Sequence, residues 1–279
     1  MKVEQIRGGS LTRLCSLSGN SRQAYYKRRL LQENIPLKGE LVIQQVLGIR
    51  RFQPRIGGRK LLFMLSPFLK QHKMEIGRDA FFSLLRSYGL LNKRKRNKPR
   101  TTDSGHWMKK HPDLIRELVP TRSDELWVSD ITYLNLVEGD VFLSLVTDAY
   151  SRKIVGFHVS ANLRAEGCVE ALQMAIAGRG KFEGLIHHSD RGVQYCCDKY
   201  VDVLNSCGIN ISMTQNGNPR DNAIAERVNG ILKMELLEPE HANLEEAREA
   251  VTRVVNIYNY LRPHSSLSML TPALVHGRN

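Results

Sequence analysis

The chain has 279 residues, a formal net charge of +13 and five cysteines without a Cys-x-x-Cys pair, which excludes a disulfide framework and a typical zinc site. No apolar run is long enough to cross a membrane and no secretory signal follows Met1, so membrane and secreted proteins are excluded and a cytoplasmic location is expected. Residues 1–100 hold 23 lysines and arginines against 5 acidic residues, and the remainder holds 18 against 23, which favours a polyanion-binding part joined to a part with another task.

The basic front of the chain predicts two helical segments, and we interpret both as DNA-binding. Residues 1–36 predict a short helix, a turn and a second helix that Ser21 caps. Residues 37–92 predict a helix-turn-helix domain, in which the last helix carries Arg78 and Arg86 on its outward face. A small helical packing domain would give the same pattern, and the local positive charge favours DNA contact.

A basic run without apolar periodicity follows, and it predicts a linker over residues 93–118. Such runs are most often solvated or serve as localisation signals. Here the run joins a predicted DNA reader to the rest of the chain, so contact with a phosphate backbone is expected, with an affinity that depends on salt rather than on base sequence. The residues expected to make these contacts are Lys93, Arg94, Lys95 and Arg96.

Residues 119–279 change to a pattern of strands and helices, which predicts an α/β domain with a mixed five-stranded sheet. Three segments near 126–137, 141–148 and 153–159 are spaced by turns as in an antiparallel meander. A helix, a short buried strand near 184–190, a second helix and a fifth strand near 210–213 follow. Further helices complete the chain, so helices are expected on both faces of the sheet.

Three acidic residues of this part carry the functional argument. Asp130 lies inside the first predicted strand, where an acidic residue is disfavoured and is rarely buried without a partner. Asp190 ends the fourth strand, and the functional sites of open α/β sheets collect at strand ends. If strands one and four are neighbours, a following helix can bring Glu226 to the spot where both aspartates project. The polar face of that helix is completed by Asn222, Asn229 and Lys233.

Three carboxylates at one spot repel one another unless a cation is present. Mg²⁺ or Mn²⁺ suits an all-oxygen site, and two such ions about 3.5–4 Å apart can clamp a phosphodiester during in-line displacement. Each acid also has a plainer interpretation, since Asp130 can be a hydrogen-bonded buried aspartate and Asp190 a turn residue before glycine. Asp148 is a weaker candidate ligand. His187 and His188 lack metal-type spacing, which favours a structural role.

Several segments of the chain match the motifs of one known family. They are residues 127–133, 148–156, 188–195, 221–233, 258–267 and 271–272. Glu226 follows Asp190 with 35 residues between them, the spacing for which that family is known. On these motifs the chain resembles, over almost its whole length, the DDE transposases of bacterial insertion sequences. Within that group it is most similar to the OrfB-type product, whose catalytic core is like that of retroviral integrases.

The resemblance implies a ribonuclease H-like fold preceded by the small helical region. It also implies an enzyme that cleaves insertion-element ends and joins the freed 3′-hydroxyl to a second phosphodiester. By the same resemblance, the integrase-like core spans residues 119–279, and Asp130, Asp190 and Glu226 are its catalytic residues and the ligands of two Mg²⁺ or Mn²⁺ ions. Lys233 is expected to touch DNA at the site, and Asn222 is expected to support the helix or the DNA strand.

The expected partners are double-stranded DNA, at terminal repeats and at the target, and further copies of the chain. A dimer or larger assembly is expected because two element ends must be held together. An upstream-frame product, fused or separate, is a further expected partner, and the location implied is the nucleoid of a bacterial cytoplasm. Two other interpretations stay open: a catalytically inactive DNA-binding protein, and a metal-dependent nuclease without strand transfer.

Overall fold

The computed structural model describes residues 15, 19, 21–92, 107–179, 182–215 and 222–278. Two compact units divide the chain, one formed by Met1–Ile49 and Leu65–Leu91 and the other by Arg50–Met64 and Asn92–Asn279. In the described part of the chain, no helix combines the length and apolar character that a membrane crossing requires. The predicted DNA contacts at Lys93, Arg94, Lys95 and Arg96 lie outside the described residues.

Helices build the first unit. It contains α1 (Arg22–Arg50) up to Ile49, the part of α2 (Gly58–Gln71) from Leu65 onward, and α3 (Arg78–Ser87). Ser21 caps α1 as predicted, because its Oγ accepts a hydrogen bond from the amide of Ala24 at 3.1 Å. α1 then runs without a break past residue 36, so the boundary expected there falls inside one helix. The buried apolar side chains of this unit, among the described residues, are Cys15, Val42, Ile43, Val46, Leu65, Leu69, Phe81 and Leu85.

The two faces of α3 differ as its sequence predicts. Phe81 and Leu85 are buried, whereas Arg78 and Arg86 are exposed. α1 and α3 pack closely, since a Cβ added at Gly39 would lie 3.3 Å from Cδ1 of Leu84. The amphipathic pattern therefore positions the helix, and DNA contact by its two arginines stays a prediction.

A mixed five-stranded sheet forms the centre of the second unit. Its strands are β1 (Leu126–Asn135), β2 (Asp140–Asp148), β3 (Ile154–Ser160), β4 (Ile186–Ser189) and β5 (Asn210–Met213), in the order β3-β2-β1-β4-β5. The first three strands pair as the predicted antiparallel meander, and Gly139 supplies the left-handed backbone (φ +95°) of the first turn. β4 pairs in parallel with β1 and with β5.

Helices cover both faces of this sheet, as predicted. They are α4 (Ala165–Ala177), α5 (Val193–Cys196), α6 (Asp198–Ser206), α7 (Ala223–Ile231), α8 (Leu244–Asn256) and α9 (Pro272–His276). α4 and α6 enclose a core around Trp127, and α7 and α8 enclose a second core around Leu143. α4 lies so close to β3 that a Cβ at Gly156 would meet the carbonyl oxygen of Ala171 at 2.0 Å. This strand order with helices on both faces is the ribonuclease H-like arrangement.

Two helices of the second unit end in wide turns. α7 continues as a π-helical turn over Leu232–Leu236, and α8 does the same over Ile257–Leu261. Single π-helical turns are rare and occur most often near functional sites. A 3₁₀ turn at Ser265–Leu267 then leads to α9.

The segment Arg50–Met64 packs in the same unit as the sheet, and its side chains show why. The guanidinium of Arg55 donates to three backbone carbonyls at the end of the turn that follows α7. They are the carbonyls of Lys233 at 3.3 Å, Met234 at 2.7 Å and Leu237. The last carbonyls of a helix lack partners within it, so Arg55 satisfies groups that would otherwise need water. Lys60 lies 3.3 Å from Glu235 in the same turn. The compact units therefore differ from the predicted helix-turn-helix domain of residues 37–92, since Arg50–Met64 belongs to the unit that holds the sheet.

Candidate active site

The sheet makes neighbours of Asp130 and Asp190. β1 and β4 are adjacent and parallel, and Val128 pairs with His188 in their register. Each aspartate follows this pair by two residues, Asp130 within β1 and Asp190 directly after β4. Because adjacent strands lie about 4.8 Å apart, the two backbone positions are close. The structure therefore brings these two predicted site residues together.

Electrostatic repulsion links the third acid to this pair. Burial first, and then the negative charge of Asp190, raise the pKa of Asp130 to about 7. A hydrogen bond from Asn229 opposes the rise, and the charge of Glu226 adds to it. Glu226 therefore lies within electrostatic range of Asp130. A cation at this spot would relieve the repulsion, which is the environment that a metal site requires.

The three acids converge without forming a tight cluster. Among the described residues, the group whose ligand atoms all lie within 4.8 Å of one another is a different one, Asp124 with Asp148 and His276. Asp130 and Asp190 are partly buried, whereas Glu226 is exposed on α7. An exposed glutamate retains several rotamers, so its carboxylate can swing toward or away from the aspartates.

Asn229 is a site residue to which sequence reasoning assigns no role. It lies three residues, or about one helical turn, after Glu226 and is buried. Its Nδ2 donates to Oδ2 of Asp130 at 2.7 Å, and this bond fixes one carboxylate oxygen. Its Oδ1 is buried and finds no partner among the residues that the structure describes. The signal was its place on the polar face of α7, at the spacing that aligns it with Glu226.

Asn222 and Lys233 also tie α7 and its following turn to β1. Asn222 donates to the backbone carbonyl of Ser129 at 2.9 Å, and Lys233 donates from Nζ to Oγ1 of Thr132 at 3.2 Å. These two strand residues flank Asp130 closely in sequence. The structure thus places both predicted DNA-contact residues beside the acids, and their contact with DNA stays a prediction.

A tight turn orients Asp190. Its Oδ1 accepts a hydrogen bond from the backbone amide of Gly192 at 3.0 Å. A Cβ added at Gly192 would lie 3.0 Å from this oxygen, so glycine lets the backbone approach the carboxylate. Ser189 donates from Oγ to the backbone carbonyl of Asp190 at 3.0 Å. The plainer interpretation of Asp190 as a turn residue is therefore compatible with its place beside Asp130.

The two histidines of β4 hydrogen-bond within the fold. His187 Nε2 lies 2.7 Å from Oγ of Ser129 and 2.9 Å from the hydroxyl of Tyr200. His188 Nδ1 lies 2.8 Å from Oγ of Ser212. Both rings are fully buried. These bonds agree with the structural role expected from their spacing.

His187 makes the stability of the fold depend on pH. Burial first, and then the charge of His188, lower the pKa of His187 to about 3, whereas an unfolded histidine has a pKa of about 6.5. Between these values the unfolded state binds the extra proton, so the free energy of unfolding falls as pH falls. For each pH unit, the free energy of unfolding of the parent should fall by about 1.4 kcal/mol more than that of His187→Gln. Urea titrations of both proteins from pH 6 to pH 4 measure this difference, and parallel slopes would contradict it.

Asp148 belongs to a group that fastens α9 to the sheet. Burial alone would raise the pKa of Asp148, but hydrogen bonds involving His276, Ser151 and Asp124 lower it. Asp148 accepts from the amide of Asp124 at 2.7 Å and from the amide and hydroxyl of Ser151 at 2.7 and 2.5 Å. The Ser151 hydroxyl lies 3.0 Å from Nδ1 of His276 in α9. The spacing of this group could hold a metal ion, but donors of the fold itself already occupy Asp148.

Known proteins are similar to this chain along most of its length. Residues 120–219 and residues 207–272 each match a family described as an integrase core domain. The 31 kDa protein of insertion element IS600 from Shigella sonnei is 31% identical over 274 residues, which cover 93% of this chain and 96% of that protein. Transposase InsF for insertion sequence IS3A from Escherichia coli (strain K12) is 32% identical over 198 residues, covering 70% of this chain and 69% of that protein.

Solved structures show a more distant likeness. The catalytic core domain of HTLV-2 integrase, solved in complex with magnesium, aligns with 56% of this chain and 98% of its own at 17% identity and a TM-score of 0.44. The assignment of the chain to a family therefore rests on the family match and the two insertion-sequence relatives.

Proposed function

The chain belongs to the insertion-sequence transposases with an integrase core, and on that premise we propose that it cleaves the ends of its element and joins them to target DNA. The family acts in DNA transposition, and its members are DDE polynucleotidyl transferases. The observation that supports the finer proposal is the placement of Asp130 and Asp190 on or directly after adjacent parallel strands, with α7, which carries Glu226, bonded to β1 through Asn222 and Asn229. Two carboxylates on adjacent strands and a third on the helix beside them suit phosphoryl transfer on a DNA strand.

The donor set of the site fits divalent metal ions. The integrase-core family supports a divalent metal cofactor, and the oxygen ligands here suit Mg²⁺ or Mn²⁺. In this proposal Asp130, Asp190 and Glu226 hold two such ions. Two bound ions supply activation of the attacking oxygen and stabilisation of the leaving oxygen. Asn229 holds one oxygen of Asp130 in place through its 2.7 Å bond.

The proposed chemistry is two successive displacements at phosphorus. In the first, water attacks the phosphodiester at the element end, the bond from phosphorus to the 3′ oxygen breaks, and a 3′-hydroxyl is released. In the second, that hydroxyl attacks a target phosphodiester, so one phosphorus–oxygen bond forms while another breaks. This exchange conserves the number of phosphodiester bonds and needs no nucleotide cofactor. Lys233, held beside Asp130 by Thr132, offers a positive charge to the phosphate of the DNA strand.

Two DNA substrates test the proposal and separate it from its alternatives. Labelled element ends incubated with Mg²⁺, with products mapped to the nucleotide, report cleavage. A pre-cleaved 3′-end with a target plasmid reports joining. Cleavage and joining at one position of the element end support the transposase, and cleavage without joining supports a metal-dependent nuclease. Binding without either product supports an inactive DNA-binding protein.

The proposed partners follow from the reaction. Two element ends must be joined to one target, which requires a dimer or larger assembly of the chain on double-stranded DNA. Exposed Arg78 and Arg86 of α3 are the proposed contacts of the helical front, and an upstream-frame product is a proposed further partner. The proposed location is the bacterial nucleoid, where this DNA lies.

We expect Asn229→Ala to weaken the metal site without unfolding the core. The change removes the donor to Asp130, and loss of a residue that orients a metal ligand typically lowers metal affinity or activity about 10–100-fold. The metal concentration that gives half-maximal cleavage should therefore rise. Asn256→Ala, on the exposed face of α8, is the matched control and should keep the metal dependence of the parent. The same metal dependence in both variants would show that Asn229 does not orient Asp130.

A further inference from the structure

A cavity that the three acids do not line carries positive charge from Arg152 and Arg278. It has a volume of about 350 Å³. Its polar lining comes from Tyr150, Arg152, Ser266, Ser268 and Arg278, and three apolar side chains complete it. No carboxylate lines it among the described residues. The side chains of Ser266, Ser268 and Arg278 are exposed, so the cavity opens to solvent. Its chemistry is that of an anion site.

Arg152 is the best anchor for an anion in this cavity. Its Nη1 is buried and finds no acceptor among the residues that the structure describes. Burial lowers the pKa of Arg152, which shows that the guanidinium has lost part of its hydration. A desolvated charge without a hydrogen-bond acceptor is costly unless a ligand provides one. A phosphate oxygen is well suited, because the guanidinium fork matches its geometry.

The backbone around the cavity is also held in an uncommon conformation. Arg152, Ser268 and Met269 have φ values of 64°, 53° and 67°, in the left-handed region that residues other than glycine seldom adopt. Strain of this kind persists where the surrounding structure fixes it, and it often accompanies a binding site. The hydroxyl of Tyr258 fixes the turn of Arg152 by donating to its carbonyl at 3.0 Å.

Neighbouring cations make the region electropositive. Burial first, and then four positive side chains, lower the pKa of the buried His264 to about 4. The four are Arg262, Arg152, Lys60 and Arg227. Glu235 pairs with both Arg262 and Lys60, at 2.8 and 3.3 Å, and its single negative charge offsets one of them. Against the effect of burial, the charge of Asp148 raises the pKa of Arg152 and so offsets part of its positive charge. Four cations against the carboxylates of Glu235 and Asp148 leave the region with a net positive charge.

We propose that Arg152 and Arg278 bind a backbone phosphate of the DNA at this cavity, outside the metal site. The inference rests on the proposed function for the identity of the polyanion. A DNA strand can place one of its phosphates in this cavity, because exposed side chains border the opening of the cavity. The turn of Arg152 follows Asp148, which pairs with Trp127, three residues before Asp130 on β1. Trp127 and Asp130 are about 10 Å apart along the strand, a length that DNA covers in about three base pairs.

Salt-dependent DNA binding tests this site. The Glu226→Gln protein, without metal, keeps cleavage from altering the labelled element-end duplex, and fluorescence anisotropy gives its affinity at several salt concentrations. Arg152→Gln in this background should weaken binding about tenfold. It should also reduce the slope of log affinity against log salt by about 0.9, the value for one phosphate contact. The loss should be equal on a duplex of scrambled sequence, because phosphate contacts carry no base information.

Two further variants keep the test decisive. Arg278→Gln changes an exposed side chain and should reduce the slope even if Arg152→Gln does not fold. Arg248→Gln removes the same charge from α8, where Glu245 already pairs with Arg248 at 3.6 Å, and should leave the slope unchanged. Slopes equal to that of the background in both cavity variants would overturn the proposal.

The source of the phosphate is tested separately. Inorganic phosphate is the probe, and its effect on the thermal unfolding of the parent and of Arg152→Gln is compared. Stabilisation of the parent alone, with an unchanged DNA slope, would mark a small-anion site and overturn the DNA assignment. Failure of the proposed function is distinguishable, because the parent protein, which keeps Glu226, would then neither cleave nor join DNA, whatever the salt slopes of the variants are.

Discussion

Glu226→Gln should abolish cleavage of element ends while leaving DNA binding nearly unchanged. The substitution keeps the size of the side chain and removes the negative charge that the proposed metal site needs. Charge stabilisation of several kcal/mol is at stake, so the cleavage rate should fall at least about 10³-fold. Because Glu226 is exposed on α7, folding should change by no more than about 0.5 kcal/mol.

Single-turnover cleavage of a labelled end in Mg²⁺ measures the loss, and anisotropy on the same duplex measures binding. Glu238→Gln removes an exposed charge shortly after the π-helical turn and is the matched control, which should cleave like the parent. Equal cleavage by the Glu226→Gln and Glu238→Gln proteins would remove Glu226 from the reaction and with it the two-metal proposal.

Arg262→Ala should lower the free energy of unfolding by about 3–5 kcal/mol. Arg262 is 1% exposed, and its Nε and Nη2 donate to one oxygen of Glu235 at 3.0 and 2.8 Å. Its guanidinium also lies 5.8 Å from the ring centre of Tyr258. Removal of the arginine deletes a buried side chain and leaves the partly buried carboxylate of Glu235 with Lys60 as its remaining partner, and the loss of one member of a buried ion pair is strongly destabilising.

Urea unfolding of the parent and of Arg262→Ala at pH 7 measures this effect. Arg253→Ala, an exposed arginine of α8, should change the free energy of unfolding by about 0.5 kcal/mol or less. Glu235→Gln, alone and combined with Arg262→Ala, completes a cycle that isolates the pair, whose coupling should lie near 0.5–3 kcal/mol. A value for Arg262→Ala as small as that of Arg253→Ala would contradict the role given to this ion pair.

Local pattern is enough to predict most of the sheet and the pair of aspartates. Strand-forming residues spaced by turns identify the first three strands, and short runs identify the other two. The place of Asp130 within β1 and of Asp190 at the end of β4 then follows. The two aspartates are neighbours only if β1 and β4 are adjacent, and periodicity does not predict that adjacency. The observed order meets that condition.

Other features depend on contacts between residues far apart in the sequence. The break expected at residue 36 is absent because α1 continues through it, and no local signal for the π-helical turns exists, since their residues extend the ordinary helical pattern. The structural role of Arg262 becomes visible only with Glu235 opposite it, 27 positions earlier in the sequence. The bond between Asn229 and Asp130 likewise spans 99 positions, beyond any motif spacing.

The bonds of Arg55 set an order of events during synthesis of the chain. Arg55 precedes Lys233, the nearest of its acceptors in sequence, by 178 positions. At translation rates of about 5–20 residues per second, the ribosome makes those acceptors roughly 10–35 s after Arg55. Until then the guanidinium has only water to hydrate it, and the segment around it cannot take its final place. The segment Arg50–Met64 is therefore completed only after residues 233–237 have been made.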